Sequence, residues 1–296
     1  MRVIVPWPPG GGADISARPL AARLSEQLGQ QVVVDNRGGA NGIIGSELIA
    51  KAPPDGYTIG FTSLSAHAIN ATLYAKLPFD TVRDFTMVSL VNTTPHVFVA
   101  HPSLPAKNVK DVIALAKARP GQITFASFGQ GSTSHLAGEL FRLMAGIQWI
   151  HVPYKGGGPA IVDVVGGQVA LHFGGVPPTR PHVLGGRLRG LGVTALKRSV
   201  HLPDLPTVAE AGGLPEYELI VTFGVHGPAG LPREIVNRLN TEIQKALQDA
   251  EVKKRYAAAG FDDLDALRPE QVDAWLKSEV ARYGKVIRAA NVTPES

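Results

Sequence analysis

Apolar and polar positions along the chain repeat one grammar: a short hydrophobic run, a glycine-rich break, then an amphipathic stretch. Val3-Ile4-Val5-Pro6-Trp7 has the continuous apolar character of a buried strand and residues 8–12 that of a turn. Ala17, Leu20, Ala21, Leu24 and Leu28 then recur at the spacing of one helix face. Pro19 is expected in the first turn of that helix, where its missing N–H does little harm. The unit returns as Val32-Val33-Val34, Asn36-Arg37-Gly38-Gly39 and a helical segment over 43–50. It returns again as a strand over 57–62, Ser63-Leu64-Ser65 and a helix over 66–73. Such alternation predicts parallel strands with helices packed on the sheet faces.

Residues 96–100 are apolar, and the punctuation by Pro102 and Pro105 marks a crossover, so the first domain boundary is expected there. The grammar then repeats: a helix over 109–118, a strand over 123–127, Gly129-Gln130-Gly131 and a helix over 132–145. A strand over 149–153 and Lys155-Gly156-Gly157-Gly158 follow, with Pro159 as a favourable first-turn residue of the next helix. Residues 218–225 read as a strand returning to the first lobe. The helices over 232–248 and 269–289 that follow, with the apolar stripe Ile235, Leu239, Ile243 and Leu247, are expected to pack there. The expectation is an α/β chain of two lobes, with mostly parallel sheets flanked by helices. The first lobe is 1–100 with 224–296 and the second 101–223, joined by a two-segment hinge around a cleft that closes on a ligand.

Length and composition fit this picture. At 296 residues and 44% hydrophobic, the chain is large enough for two cores, and 33 glycines and 23 prolines suit many short turns. The formal charge of +4 is scattered over residues such as Lys107, Lys110, Lys117 and Arg119, without a basic block, which argues against a nucleic-acid partner. The absence of cysteine removes disulfides, thiolate nucleophiles and Cys-ligated zinc together. No apolar run approaches the roughly 18 residues of a membrane span, so no membrane insertion is expected. Met1-Arg2-Val3 runs straight into a strand-like segment without a signal peptide, so an exported form is expected to have lost its leader.

In open α/β sheets, ligands bind beyond the carboxyl ends of the strands, where loops feed into helix N-termini. Four loops qualify, over 8–14, 63–67, 127–135 and 154–158, each rich in Gly, Ser or Thr. Free N–H groups and the positive end of the helix dipole make each a candidate anion site, and two from opposite lobes suit the two ends of a dicarboxylate. The same glycines serve tight connections without any ligand, and Ser132, Thr133 and Ser134 serve as helix caps. Asp14 is expected to organise its loop rather than to meet a ligand carboxylate directly. Trp7 is a candidate cover for an apolar part of the ligand or a core residue.

Rival chemistries fail at particular positions. Gly10-Gly11-Gly12 after the first strand and Asp35 at the end of the second evoke a dinucleotide-binding oxidoreductase, but the third glycine of that fingerprint falls on Ile15 and Asp14 would oppose a pyrophosphate. No G-x-S-x-G motif and no H-x-x-x-H spacing occur, so no nucleophile, metal or cofactor is expected. His67 and His135 stand just inside helix starts, each either a ligand contact or a satisfied structural histidine.

The chain resembles the Bug proteins, extracytoplasmic receptors related to the tripartite tricarboxylate transporter system. The likeness runs from end to end. It rests on Val5-Pro6-Trp7-Pro8-Pro9-Gly10-Gly11-Gly12-Ala13-Asp14, Pro54-Asp55-Gly56-Tyr57-Thr58, His135-Leu136-Ala137-Gly138-Glu139, Val152-Pro153-Tyr154-Lys155-Gly156 and Pro203-Asp204-Leu205-Pro206-Thr207 in this order. The resemblance implies a type II periplasmic-binding-protein fold that holds a small carboxylate between its lobes. Ligand contacts are implied at Gly11, Gly12, Ala13 and Asp14, at Ser65, Ala66 and His67, and at Ser127, Gly129, Ser132 and Thr133. Gly174 stands in Phe173-Gly174-Gly175 where relatives often read Phe-Asp-Asn, so an acidic partner for a ligand amine is absent. Thr222-Phe223-Gly224 stands where Trp commonly precedes Gly. The expected function is capture of a di- or tricarboxylate or aromatic acid by lobe closure, without catalysis. The protein is expected to be a periplasmic monomer that delivers its ligand to membrane permease subunits. A ligand sensor for a signalling partner is the alternative on the same fold.

Overall fold

The computed structural model of the chain describes residues 1–263 and 267–294. In chain order the elements are β1 (Arg2–Val5), α1 (Gly12–Leu28), β2 (Val33–Asn36), α2 (Ile43–Ala50), β3 (Thr58–Ser63), α3 (Leu64–Leu73), β4 (Phe85–Ala100) and α4 (Val109–Ala118). Then come β5 (Thr124–Ser127), α5 (Thr133–Ala145), β6 (Ile150–Pro153), α6 (Gly157–Val165), β7 (Leu171–Gly175), α7 (Val176–Leu184), β8 (Arg189–Val193) and α8 (Val208–Gly212). The last are β9 (Ile220–Pro228), α9 (Arg233–Gln248), α10 (Ala250–Ala259), β10 (Asp262–Asp263) and α11 (Pro269–Ala290). Contacts divide the chain into two compact units, Met1–Thr93 with Thr222–Lys285, and Thr94–Val221 with Val286–Ser296. The chain passes between them within β4, at the start of β9 and within α11.

In the first unit β1 lies between β2 and β3, parallel to both, with Val3 opposite Val34 and Ile59. β9 joins β3 antiparallel, pairing Gly60 with His226 and Thr62 with Gly224, and separates β3 from the first half of β4. The buried residues Ala13, Ala17, Leu20, Ala21 and Leu24 form the predicted inner face of α1, which ends at Gly29 in the left-handed conformation, φ 63°. The helix starts at Gly12, five residues before the apolar stripe, so Pro19 lies in its interior and not in its first turn. The stripe marks where the helix meets the core, not where its backbone begins, and Pro19 leaves the carbonyl of Ile15 without an i→i−4 partner.

The second unit repeats the plan. β5 lies between β6 and β7, parallel to both. The second half of β4 then joins β7 antiparallel, and β8 pairs antiparallel with the other side of β4. Each unit is thus a parallel trio extended by an antiparallel strand that arrives from the other unit. Phe98 on β4 and Phe173 on β7 are cross-strand partners and stack with centroids 4.3 Å apart. Phe125, Phe141 and Trp149 complete a buried aromatic core around them. The end of α11 belongs to this unit, where Arg142 and Gln130 donate to the carbonyls of Ala290 and Thr293. Among the described residues, no helix is long and apolar enough to cross a membrane.

Two fully buried tyrosines show how far the duplication goes. Tyr256 donates its hydroxyl to the carbonyl of Ser16 and Tyr217 to that of Ala137, both at 2.9 Å. Ser16 and Ala137 are each the fifth residue of the helix that follows the central strand of its unit.

Candidate functional site

The β1–α1 loop is shaped by Asp14, the third residue of α1 and only 3% exposed. Its Oδ2 accepts from the backbone N–H of Gly10 at 2.9 Å, closing the loop over a glycine with φ +79°, a conformation that disfavours any side chain. Asn36, at the end of β2, donates to Asp14 Oδ1 and to the carbonyl of Trp7, both at 3.0 Å, and Arg18 grips both carboxylate oxygens. Burial raises the pKa of this carboxyl. Arg18, the Gly10 amide and Asn36 outweigh that effect and hold it below the usual aspartate value. The negative charge is therefore spent inside the loop.

The N-cap of α1 is Gly11, which has no side chain to offer, so the N–H groups of Gly12, Ala13 and Asp14 have no acceptor within the helix. A Cβ on Gly12 would lie 3.2 Å from Phe223 Cζ, so a bare backbone suits the close approach of that ring. Trp7 is half-buried and packs over Gly42, where a Cβ would lie 3.0 Å from its ring.

The β3–α3 loop of the same unit has committed its side chains internally. Ser63 caps α3 by accepting from Ala66 N–H at 3.2 Å, and Ser65 Oγ accepts from Thr222 N–H at 3.0 Å. The ring of His67 is buried and lies 3.0 Å from the carbonyl of Thr81 through Nε2, against Phe79, Phe85 and His226. Burial lowers its pKa to about 4, only partly offset by the Thr81 carbonyl, so the ring is neutral and donates to that oxygen. Of the three residues expected here, Ser65 and Ala66 are thus engaged within the unit, and His67 is a core histidine bonded through Nε2, its buried Nδ1 having no hydrogen-bond partner among the described residues.

In the second unit the loop after β5 is strapped from below. Ser127 Oγ accepts from Gly129 N–H at 3.1 Å and lies 3.1 Å from Gly129 O and 2.6 Å from His151 Nε2. Gly129 has φ +126°, and a Cβ there would lie 3.0 Å from the carbonyl of Tyr154. Ser132 caps α5, accepting from His135 N–H at 3.2 Å and donating to Gly129 O at 2.7 Å. Thr133 Oγ1 lies 3.0 Å from Nε2 of His96, a buried residue whose pKa is lowered to about 3, mainly by burial and then by His172. The N–H groups of Thr133 and Ser134 open the helix and have no acceptor within it. The next loop is tied down by Gly156 N–H to Phe128 O at 3.0 Å and by the Tyr154 hydroxyl to Asp163 at 2.7 Å. Here α6 starts at Gly157, two residues before Pro159.

Gly174 is buried at the end of β7. A Cβ there would meet Thr179 Oγ1 and lie 3.0 Å from His172 Nε2, so the space an acidic side chain would need is filled by a hydroxyl from α7. Sequence reasoning did not assign roles to Asn36, Arg18, His96 and His151, and left His135 open between a ligand contact and a structural histidine. One signal was present: Gly10-Gly11-Gly12-Ala13-Asp14 and Gly131-Ser132-Thr133-Ser134-His135 align residue for residue, each placing a polar side chain four positions after a glycine. A depression of about 490 Å³ on the first unit, lined in part by Arg233, Asn240, Arg268 and Glu270, shares no residue with these loops, and Arg233 there is paired with Glu270 at 2.8 Å. Among the described residues, no three His, Asp or Glu side chains are placed to hold a metal ion.

A family profile described as "Tripartite tricarboxylate transporter family receptor" matches residues 16–292. The chain is 40% identical to the protein BugT of Bordetella pertussis (strain Tohama I) over 289 residues, 97% of this chain and 88% of BugT. Its fold is similar to that of Rpa4515 of R. palustris with adipate, at a TM-score of 0.94 and 37% identity over 100% of this chain and 98% of that one. It is also similar to MatC from Rhodopseudomonas palustris with bound malate, at 0.90 and 28% over 97% and 98%.

Proposed function

The chain belongs to the tripartite tricarboxylate transporter receptor family and has the two-lobed α/β fold of periplasmic binding proteins. From that premise we propose that it captures a small dicarboxylate outside the cytoplasm and hands it to a membrane permease, without catalysing a reaction. The observation that carries this reading is the matched pair of helix N-termini. α1 and α5 follow the central strands of their units, and each opens with N–H groups that have no acceptor within the helix. Asp14, the carboxylate in the first turn of α1, is paired with Arg18.

A helix terminus is worth roughly 0.3–1 kcal/mol to an anion and up to about 2 when partly buried, and a carboxylate is the kind of group such a terminus takes. The neighbours bound to adipate and malate, both dicarboxylates, support that class. Gly12, Ala13, Thr133 and Ser134 are assigned as donors through their backbone, with Gly11, Asp14, Ser127, Gly129 and Ser132 shaping the loops and Trp7 and Gly174 flanking them. The filled space at Gly174 leaves no acid for a ligand ammonium group, which favours an unsubstituted or hydroxylated acid over an amino acid.

Isothermal calorimetry against mono-, di-, tri- and aromatic carboxylates, with aspartate and glutamate as amino-acid controls, tests the proposal. Saturable 1:1 binding of at least one dicarboxylate, with a rise in melting temperature at ligand excess, is the expected result. Binding of the amino acids alone, or of none of the panel, overturns it.

A further inference from the structure

We infer that His135 is a positioning residue for the α5 terminus: its unprotonated Nδ1 holds the Gly131 amide and so fixes the loop that presents the Thr133 and Ser134 N–H groups, the task Asp14 performs for α1. The inference deepens the carboxylate-capture reading and rests on it for its ligand readout. The geometry of the two clasps is the same. Asp14 and His135 are each the third residue of their helix, and each accepts from the N–H of a glycine four residues earlier, at 2.9 and 3.1 Å. Both glycines have positive φ, +79° at Gly10 and +71° at Gly131.

The difference between the acceptors follows from the next turn of each helix. Four residues after Asp14 stands Arg18, which neutralises a carboxylate, whereas four residues after His135 stands Glu139. A second carboxylate at 135 would face that acid, and a neutral imidazole accepts the same hydrogen bond without the charge. The ring is buried and stacked on His151 of β6, with centroids 3.8 Å apart and planes within 11°. Phe125 of β5 is also stacked near it, at 6.4 Å. The ionisable groups that face it are His151 from β6, and Arg142 with its ion-pair partner Glu139 from α5 itself.

His151 is held in turn by Ser127. All hydrogen bonds at Ser127 Oγ are satisfied together when His151 carries its proton on Nε2 and donates, Gly129 N–H donates, and the serine hydroxyl donates to Gly129 O. Burial first, then His151 and Arg142, lower the pKa of His135 to about 3, so the ring is uncharged throughout the neutral range, and the Gly131 N–H directed at Nδ1 selects the tautomer whose lone pair is on that atom. Protonation would set two donors, Nδ1–H and Gly131 N–H, against each other.

Nitrogen-15 NMR of the ligand-free protein reads the clasp directly. The His135 Nδ1 shift of a bare acceptor, with a hydrogen-bonded Gly131 amide, is expected from pH 8 to 5. A donor-type Nδ1 overturns the inference, whatever the protein binds. Titration with the tightest dicarboxylate of the panel reads the consequence. His135→Ala is expected to weaken binding about fivefold to tenfold. His135→Asn, whose side-chain oxygen reaches the same N–H, is expected to recover most of that loss, and His135→Asp to recover less because of Glu139. Equal affinity of wild type and His135→Ala, or His135→Asn no better than His135→Ala, overturns the inference. If the wild type binds no carboxylate, the functional reading fails while the NMR result still decides the clasp.

Discussion

Arg18 closes on Asp14 from one helical turn away, its Nη2 2.7 Å from Oδ1 and its Nε 3.0 Å from Oδ2. The pair is unequal, because Asp14 is nearly buried and Arg18 about half exposed. Removing the acid strands the Gly10 amide and Asn36 as well as Arg18, whereas removing the base leaves Asp14 two other donors. Asp14→Ala is expected to cost about 2–3 kcal/mol in urea denaturation at pH 7, and Arg18→Ala about 1 or less. The folded pKa of Asp14 is below its unfolded value, so its contribution is present above pH ~4 and lost as pH falls through the folded pKa. The gap between wild type and Asp14→Ala should accordingly narrow in acid.

The two tyrosine hydroxyls make a paired test of the duplicated architecture. Tyr256→Phe and Tyr217→Phe each remove one buried hydrogen bond to the fifth residue of the equivalent helix and leave the ring packing intact. Each should cost about 1 kcal/mol, and the double variant should show the sum, since the sites lie in different units. A coupling above about 0.5 kcal/mol in the double-mutant cycle contradicts this independence.

Acid should destabilise the protein through its neutral histidines. Burial lowers His67, His151 and His172 to about 4 and His96 and His135 to about 3, and holds His226 well below its usual value. The unfolded chain takes up a proton at each near pH 6.5 while the folded chain does not. Stability is therefore insensitive to these groups above pH 7 and falls as pH drops below about 6.5, each group adding a slope of at most about 1.4 kcal/mol per pH unit. Both ring nitrogens of His226 are buried and have no hydrogen-bond partner among the described residues. His226→Leu should be neutral or stabilising at pH 7 and should flatten the acid limb, measured as urea midpoint against pH.

Two glycines in helices should respond to alanine by very different amounts. Helix propensity favours Ala over Gly by about 1 kcal/mol. At Gly158 in α6 nothing beyond its chain neighbours lies within 4 Å of the added Cβ, but the ring of Pro159 disfavours a helical residue with a Cβ before it, so the two effects oppose and Gly158→Ala should be close to neutral. At Gly45 in α2 the Cβ would lie 2.7 Å from the carbonyl of Arg37 and 2.8 Å from Pro6 Cα, backbone that cannot swing aside, so Gly45→Ala should lose about 1–3 kcal/mol. The melting temperature of Gly158→Ala should stay near that of the wild type, and that of Gly45→Ala should fall clearly below it.

What could be read along the chain was whatever local pattern determines. The alternation of apolar runs with glycine loops located α1, α5 and their strands, and the cap Ser132 announced the start of α5. What escaped depends on partners distant in sequence. Residues 96–100, read only as an apolar stretch before a crossover, are the end of β4, which starts at Phe85 because its first half is a strand only beside β9 and β10. His67 stands just inside a helix start, as a ligand contact would, and only the fold shows its ring turned to Thr81 and two phenylalanines. The role of Asp14 as a loop organiser was legible because its glycine partner is four residues away. His135 was less so, because an imidazole accepts or donates according to its surroundings.

The place of β9 between β3 and the first half of β4 has a consequence for biogenesis. As the chain leaves the ribosome or an export channel, both flanking strands emerge long before the strand that joins them, and nearly all of the second unit is made in the interval. Until residue 228 is available, β3 and β4 present open edges whose N–H and C=O groups are templates for the wrong partner. The sheet of the first lobe to be synthesised is thus closed only after that of the second, and a holding chaperone would be needed most while that slot stands empty.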